Sequence, residues 1–121
     1  MQFSLKYFLP VLVYLLFIFF LSSLSNTGIS VSFDKESLTL HILEYSILGL
    51  LMLRAFSNSN PGYPVKYLLL ISIAVSAFYG VTDEFHQAFV PGRNSSLIDL
   101  SADSLGSVWG SLIYLLVRKR N

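Results

Sequence analysis

The stretch KYLLLISIAVSAFYGVTDEFHQAFVPGR, residues 66–93, decides the fold. A helix that crosses a bilayer needs about 20 mostly apolar residues, and residues 66–82 consist almost entirely of aliphatic, aromatic and small side chains. Ionisable residues then follow without a helix breaker until Pro91-Gly92, a dipeptide typical of a turn. The stretch therefore predicts a membrane-spanning helix over residues 66–82 that continues to about 89 as a polar, ionisable end.

The composition of the whole chain agrees with a membrane protein. Its 121 residues are 54% hydrophobic and only 12% charged, whereas a soluble domain carries about a quarter charged residues. The net charge of +1 supplies no basic field, so we expect no nucleic-acid partner. The sequence contains no cysteine, which excludes disulfides, thiolate metal sites and a cysteine nucleophile.

Three further apolar segments are long enough to span the lipid bilayer. They cover about residues 6–24, 38–56 and 97–117, and polar connections with Gly or Pro separate the spans. We therefore predict an all-α fold, a polytopic membrane protein with a bundle of about four transmembrane helices in a single domain over residues 1–121. The first segment has an alternative interpretation as a signal peptide, although its apolar stretch is long for one.

Lysine and arginine predict the orientation, because they are enriched in cytoplasmic loops of membrane proteins. With four spans, both termini and the second connection lie on one side of the membrane. The other side carries only Lys35 and Arg93, so we expect both termini in the cytoplasm. The basic residues on the predicted cytoplasmic side are Lys6, Arg54, Lys66, Arg118, Lys119 and Arg120.

The same topology places the ionisable residues of the spans at their outer end. These residues begin the second span, end the third and begin the fourth. A charged side chain near the bilayer centre costs about 3 kcal/mol on insertion scales, so facing a protein interior or a watery cleft is the cheaper arrangement. We predict an outward-facing polar pocket, with the candidate residues His41, Glu44, Asp83, Glu84, His86, Gln87, Arg93, Asp99 and Asp103.

Helical spacing predicts which of these residues share a face, because residues three or four apart are neighbours on a helix. His41 falls beside Glu44, and Asp83 falls beside His86 and Gln87. Glu84 points about a quarter-turn or more away from its acidic neighbour, so we expect the two acids to have different roles.

Small residues form ladders at four-residue steps on the third and fourth spans. One ladder leads through Gly80 to the acidic residues, and the other runs through Ala102, Gly106 and Gly110 beside Asp103. Small residues let transmembrane helices approach closely. We therefore predict that the third and fourth spans pack together along these ladders.

The run YGVTDEFHQAFVPGR, residues 79–93, followed by Asp99 and Gly106, resembles the VanZ-like family. A second stretch, residues 34–49, with His41 and Glu44-Tyr45, resembles the other signature of that family. The resemblance covers residues 34–110 and implies a small integral protein of the bacterial plasma membrane. The family is named for a protein associated with teicoplanin resistance, so the resemblance implies a phenotype more than a reaction.

The sequence is compatible with three functions. A protein that binds or remodels a cell-envelope component would use the polar pocket for an anionic lipid-linked precursor or a lipoglycopeptide, and would contribute to antibiotic resistance. An enzyme acting on a lipid headgroup would use Asp83 or Glu84 with His86 as acid and base, and Arg93 to hold phosphate. A structural or assembly protein would use its charges as interhelical ion pairs.

Single residues have structural interpretations as well. Asp99 follows Ser96 at the spacing of a capping box, whereas Asp103 lies one turn deeper and caps nothing. Arg93 is either an ion-pair partner for the acids or part of an anion site with Ser95 and the amides that begin the fourth helix. The sequence contains no motif for a nucleotide or a hydrolase nucleophile. Asp83, Glu84, His86, Asp99 and Asp103 are of the types that bind a divalent cation, but no ligand spacing demands one. We therefore predict no cofactor and no metal, and the oligomeric state stays open.

Overall fold

The structure, a computed structural model, describes residues 1–23, 34–90 and 96–120. Within these residues the chain forms helices α1 (Leu5–Ser23), α2 (Asp34–Ser59), α3 (Val65–Gln87) and α4 (Leu97–Arg120). Each of the four is long and apolar enough to cross a bilayer, which confirms the all-α membrane bundle. Helix α3 continues past Thr82 through the polar residues, as residues 66–93 predict.

The outer surface of the bundle is apolar, as a lipid environment requires. On α1 the buried positions Val11, Ile18 and Ser22 follow one face, whereas large side chains such as Leu16 and Phe20 remain exposed. A soluble bundle would turn polar residues outward on this side. The exposed apolar faces of the helices therefore lie against lipid.

The closest helix contact joins α2 to α4. Gly106 lies against the backbone of Ile42, and Gly110 lies against that of Ser46, so the two helices run parallel. Gly49 of α2 makes the reciprocal approach to Ser107 of α4. Because the three glycines have no side chain, each lies directly against a backbone carbonyl of the facing helix. Small residues favour such close helix packing in membranes.

This contact corrects one sequence prediction. The Gly106 and Gly110 ladder was expected to face the third span, but it packs against α2 instead. Helix α3 does contact α4, through Gly80, where an added Cβ would lie 3.3 Å from Asp103. The spacing alone did not identify the partner, because a ladder of small residues fits any helix that approaches it.

The end of the bundle where α1 begins and α2 ends is fastened by a reciprocal pair of hydrogen bonds. The Gln2 N–H donates to Asn60 Oδ1 at 2.7 Å, and Asn60 Nδ2 donates to the Gln2 carbonyl at 2.9 Å. Beyond this pair, buried apolar side chains of α1, α2 and α3 form the core. Its largest fully buried side chains are those of Tyr45, Ile18, Leu48, Leu53, Leu68 and Val11.

Replacing Gly110 by alanine is expected to destabilise the bundle, because the new Cβ would overlap the Ser46 carbonyl oxygen. Overpacking of this kind costs about 1–3 kcal/mol. The control is Gly62→Ala, whose Cβ has no heavy atom within 4 Å. Reversible unfolding of the purified variants in detergent micelles measures the free energies, and equal values for Gly110→Ala and the original protein would contradict the close crossing.

Candidate functional site

The candidate site lies at the polar end, which we define as the end where α1 and α3 finish and α2 and α4 begin. The residues that the sequence placed at one depth do come together here in the described parts of α2, α3 and α4. The end of α1 joins them through Ser22 and Ser23, which the sequence reading had not included. The predicted pocket residue Arg93 lies outside the described residues.

His41 links α2 to α4 by a buried contact with a carboxylate. Its Nδ1 lies 2.6 Å from Asp103 Oδ1, and its Nε2 lies 4.0 Å from Asp99 Oδ2. Asp103 is fully buried, and His41 is nearly so. The parallel crossing of α2 and α4 places these residues at one level, so the contact follows from the glycine packing below it.

Asp83 links α3 to α1 and α2. Its Oδ1 accepts a hydrogen bond from the Ser22 hydroxyl, and its Oδ2 accepts one from the Tyr45 hydroxyl at 3.1 Å. Gln87, one turn further along α3, donates to Ser22 at 3.3 Å. Asp83 and Gln87 therefore share a face and a partner, as their spacing predicted.

Glu84 faces the beginning of α4. Its Oε2 accepts a hydrogen bond from the Ser96 N–H at 3.2 Å, while Ser96 Oγ accepts one from the Asp99 N–H at 3.0 Å. Ser96 is therefore the N-terminal cap of α4, and Glu84 accepts from the Ser96 N–H, the bond that a capping box would give to Asp99. Asp83 and Glu84 therefore make their hydrogen bonds to different helices, as expected from the turn of the helix between them.

His86 is separate from the carboxylates. Its Nε2 lies 2.9 Å from Ser23 Oγ, and its ring stacks on Phe19 with the centroids 4.5 Å apart. The predicted acid and base pair of His86 with Asp83 or Glu84 has no contact among the described residues. The His–carboxylate pair that the structure does form uses His41 and Asp103.

Glu44 lies beside His41 on α2, as their spacing predicted, and both residues line a cavity of about 380 Å³ between α1 and α2. The residue that continues the inward face of His41 is Tyr45, which is fully buried. Tyr14 closes one wall of this cavity by donating a hydrogen bond to the Glu44 carbonyl at 2.7 Å.

The cavity joins an apolar groove to a polar wall. Its polar lining comes from Ser22, His41, Glu44 and Gln87, so each of α1, α2 and α3 contributes to it. The surrounding apolar side chains are large, and several are about half exposed on the lipid-facing surface. These apolar and aromatic lining residues are Tyr14, Phe17, Leu21, Leu40, Leu43 and Ile47.

The polar end therefore has two chemically different parts. Asp83, Glu84 and Asp103 are buried and held by hydrogen bonds. The cavity beside them takes its polar lining from Glu44, which is partly exposed, and from Ser22, His41 and Gln87, which are buried. His41 belongs to both parts, because it contacts Asp103 and also lines the cavity.

Ser22, Ser23 and Tyr45 are the site residues that the sequence reading missed. Ser22 and Ser23 lie at the end of an apolar segment with no ionisable neighbour in the sequence, so no pattern marks them as site residues. Tyr45 lies four residues after His41, a spacing that places both on one face. That spacing was the available signal for including Tyr45 in the site.

Comparison with known proteins identifies a family. The family model described as VanZ/LLP1 matches residues 5–118, which is nearly the whole chain. The match includes the first span, which the resemblance of residues 34–110 does not cover. No curated protein and no solved structure matches the chain.

Removing the Tyr45 hydroxyl is expected to destabilise the fold, because Asp83 Oδ2 would lose a buried donor. A buried acceptor left unsatisfied costs about 1–3 kcal/mol. Tyr45→Phe should therefore unfold more easily in detergent titrations, whereas Tyr63→Phe, which changes an exposed tyrosine, should not. An unchanged unfolding free energy for Tyr45→Phe would show that this hydrogen bond does not hold the polar end together.

Proposed function

The chain belongs to the VanZ/LLP1 family, and we propose that this multi-pass membrane protein binds an amphiphilic component of the cell envelope in the cavity between α1 and α2. The observation that carries the proposal is the composition of the cavity wall, in which polar groups adjoin large apolar side chains. An amphiphile presents the same combination, because its hydrocarbon part enters from lipid while its headgroup meets the polar end.

The polar wall favours a headgroup with both donors and acceptors. Glu44 and the Ser22 hydroxyl accept hydrogen bonds, and the Gln87 amide both donates and accepts them. Sugar hydroxyls and peptide groups complement such a wall. A lipid-linked glycan precursor and a lipoglycopeptide both carry these groups on an apolar anchor, and the teicoplanin resistance for which the family is named makes them the first ligands to test.

The proposed side of the membrane follows from the basic residues. Lys6, Arg54 and Lys66 belong to the end opposite the site, and so do Arg118 and Lys119. By the positive-inside rule this opposite end is cytoplasmic, and the site then opens toward the outer leaflet of a bacterial plasma membrane. Arg93 remains a predicted anchor for an anionic group.

A structural role is the second candidate, and the His41–Asp103 contact favours it. An interhelical pair at 2.6 Å with both partners buried fixes the bundle whether or not a ligand binds. The enzyme alternative has less support, because His86 bonds to Ser23 and does not contact Asp83 or Glu84. Binding measured on folded variants separates the first candidate from the second.

Filling the cavity is expected to weaken binding without unfolding the protein. Ile47→Trp enlarges a half-exposed lining side chain, so it should weaken binding by about tenfold or more, equivalent to about 1.4 kcal/mol. The probes are fluorescent teicoplanin and a fluorescent undecaprenyl-linked muropeptide precursor. Fluorescence anisotropy with the purified protein in nanodiscs measures both affinities.

The matched control is Leu70→Trp, which places the same indole on an exposed α3 position that does not line the cavity. It should bind the probes as the original protein does. Binding of neither probe by the original protein, or equal loss in both tryptophan variants, would contradict the proposal. Normal stability together with no binding would support the structural role.

A further inference from the structure

We propose that Asp83, Glu84 and Asp103 form a binding site for a divalent cation that prefers oxygen ligands, such as Mg²⁺ or Mn²⁺. The sequence predicts no metal, since its acidic residues lack a recognised ligand spacing. The structure brings together acids from two helices that the spacing could not connect. The proposal goes beyond amphiphile binding and does not require it.

The three carboxylates are close enough for one ion. One ligand atom from each residue lies within 4.8 Å of the others, and all three residues are buried. Oxygens around a Mg²⁺ ion, bound at about 2.1 Å, lie up to about 4.2 Å apart. Small side-chain movements would therefore bring the three ligand oxygens to the distances found around a bound ion.

Two oxygens in this cluster have no hydrogen-bond partner among the described residues. Glu84 Oε1 and Asp103 Oδ2 are buried and accept no hydrogen bond from the described residues. Each of the two residues is at least nine-tenths buried. Leaving such an atom unsatisfied costs about 1–3 kcal/mol. Asp103 Oδ2 points toward α3, where it would lie 3.3 Å from a Cβ at Gly80, one turn before Glu84.

The other oxygens of these carboxylates contact polar groups outside the cluster. His41 holds Asp103 Oδ1, and the Ser96 N–H holds Glu84 Oε2, so the second oxygen of each group stays available. Asp83 accepts one hydrogen bond on each oxygen, and a carboxylate oxygen has a further lone pair for a metal. Partners of this kind orient the ligands of metal sites.

The charge balance points to a cation as well. Asp83, Glu84 and Asp103 lie together in the interior, and among the described residues the cation-forming side chain in ion-pair contact with one of them is His41, which contacts Asp103. The lysine and arginine side chains that the structure describes belong to the opposite end of the helices. One imidazole does not balance three buried carboxylates, and buried carboxylates that lack a full counter-charge are costly. A divalent ion bound to their oxygens would lower that cost.

The test is a titration of the full-length protein in nanodiscs with Mn²⁺ alone, followed by electron paramagnetic resonance of the free ion. We expect saturable binding of about one ion per chain. Glu84→Gln should weaken binding by about tenfold or more, because it replaces a ligand. The control is His86→Gln, which changes a metal-capable side chain at the same end that contacts Ser23 and not the cluster.

Thermal unfolding provides a second measurement, because a ligand that binds the folded state raises its stability. Mn²⁺ should raise the Tm of the original protein and of His86→Gln, but not that of Glu84→Gln. If Glu84→Gln does not fold, Asp103→Asn takes its place with the same expected loss. No saturable binding by the original protein, or unchanged binding by a folded cluster variant, would overturn the proposal.

Discussion

The polar end depends on the backbone contact between α2 and α4. Gly106 and Gly110 lie against Ile42 and Ser46, and this approach places His41 within 2.6 Å of Asp103. Side chains at the glycines would separate the helices and remove a buried partner from a buried carboxylate. The site is therefore positioned by residues that carry no chemistry themselves.

A bilayer sets the second constraint, because ionisable groups are expensive within a span. The protein keeps them at the ends of its helices and turns them inward, where Asp83 meets Ser22 and Tyr45, and Glu84 meets Ser96. This arrangement encloses the carboxylates, and the cavity between α1 and α2, where we propose that an amphiphile binds, lies beside them. Under that proposal one polar end both stabilises the bundle and provides a binding surface.

Much of the fold was predictable from the sequence, because bilayer thickness translates directly into the length of an apolar segment. The gathering of His41, Asp83, Glu84, Asp99 and Asp103 followed from alternating spans. Partner choice was not predictable, since helical periodicity gives a face and not the helix that it meets. The glycine ladder therefore predicted a contact with α3, and the periodicity did not identify Asp103 as the partner of His41. The acids of α3 and α4 were of a type that binds divalent cations, but no ligand spacing in the sequence demanded a site.

The central claim is that side chains distant in sequence form one interhelical cluster around the α2–α4 crossing. A double-mutant cycle with His41→Ala and Asp103→Ala, measured by unfolding in detergent, tests it most directly. Contacting residues usually show coupling energies of about 0.5–3 kcal/mol, and we predict a value in that range. Additive effects would contradict the account, and so would equal coupling between Asp103 and His86, which contacts Ser23 and Phe19 instead.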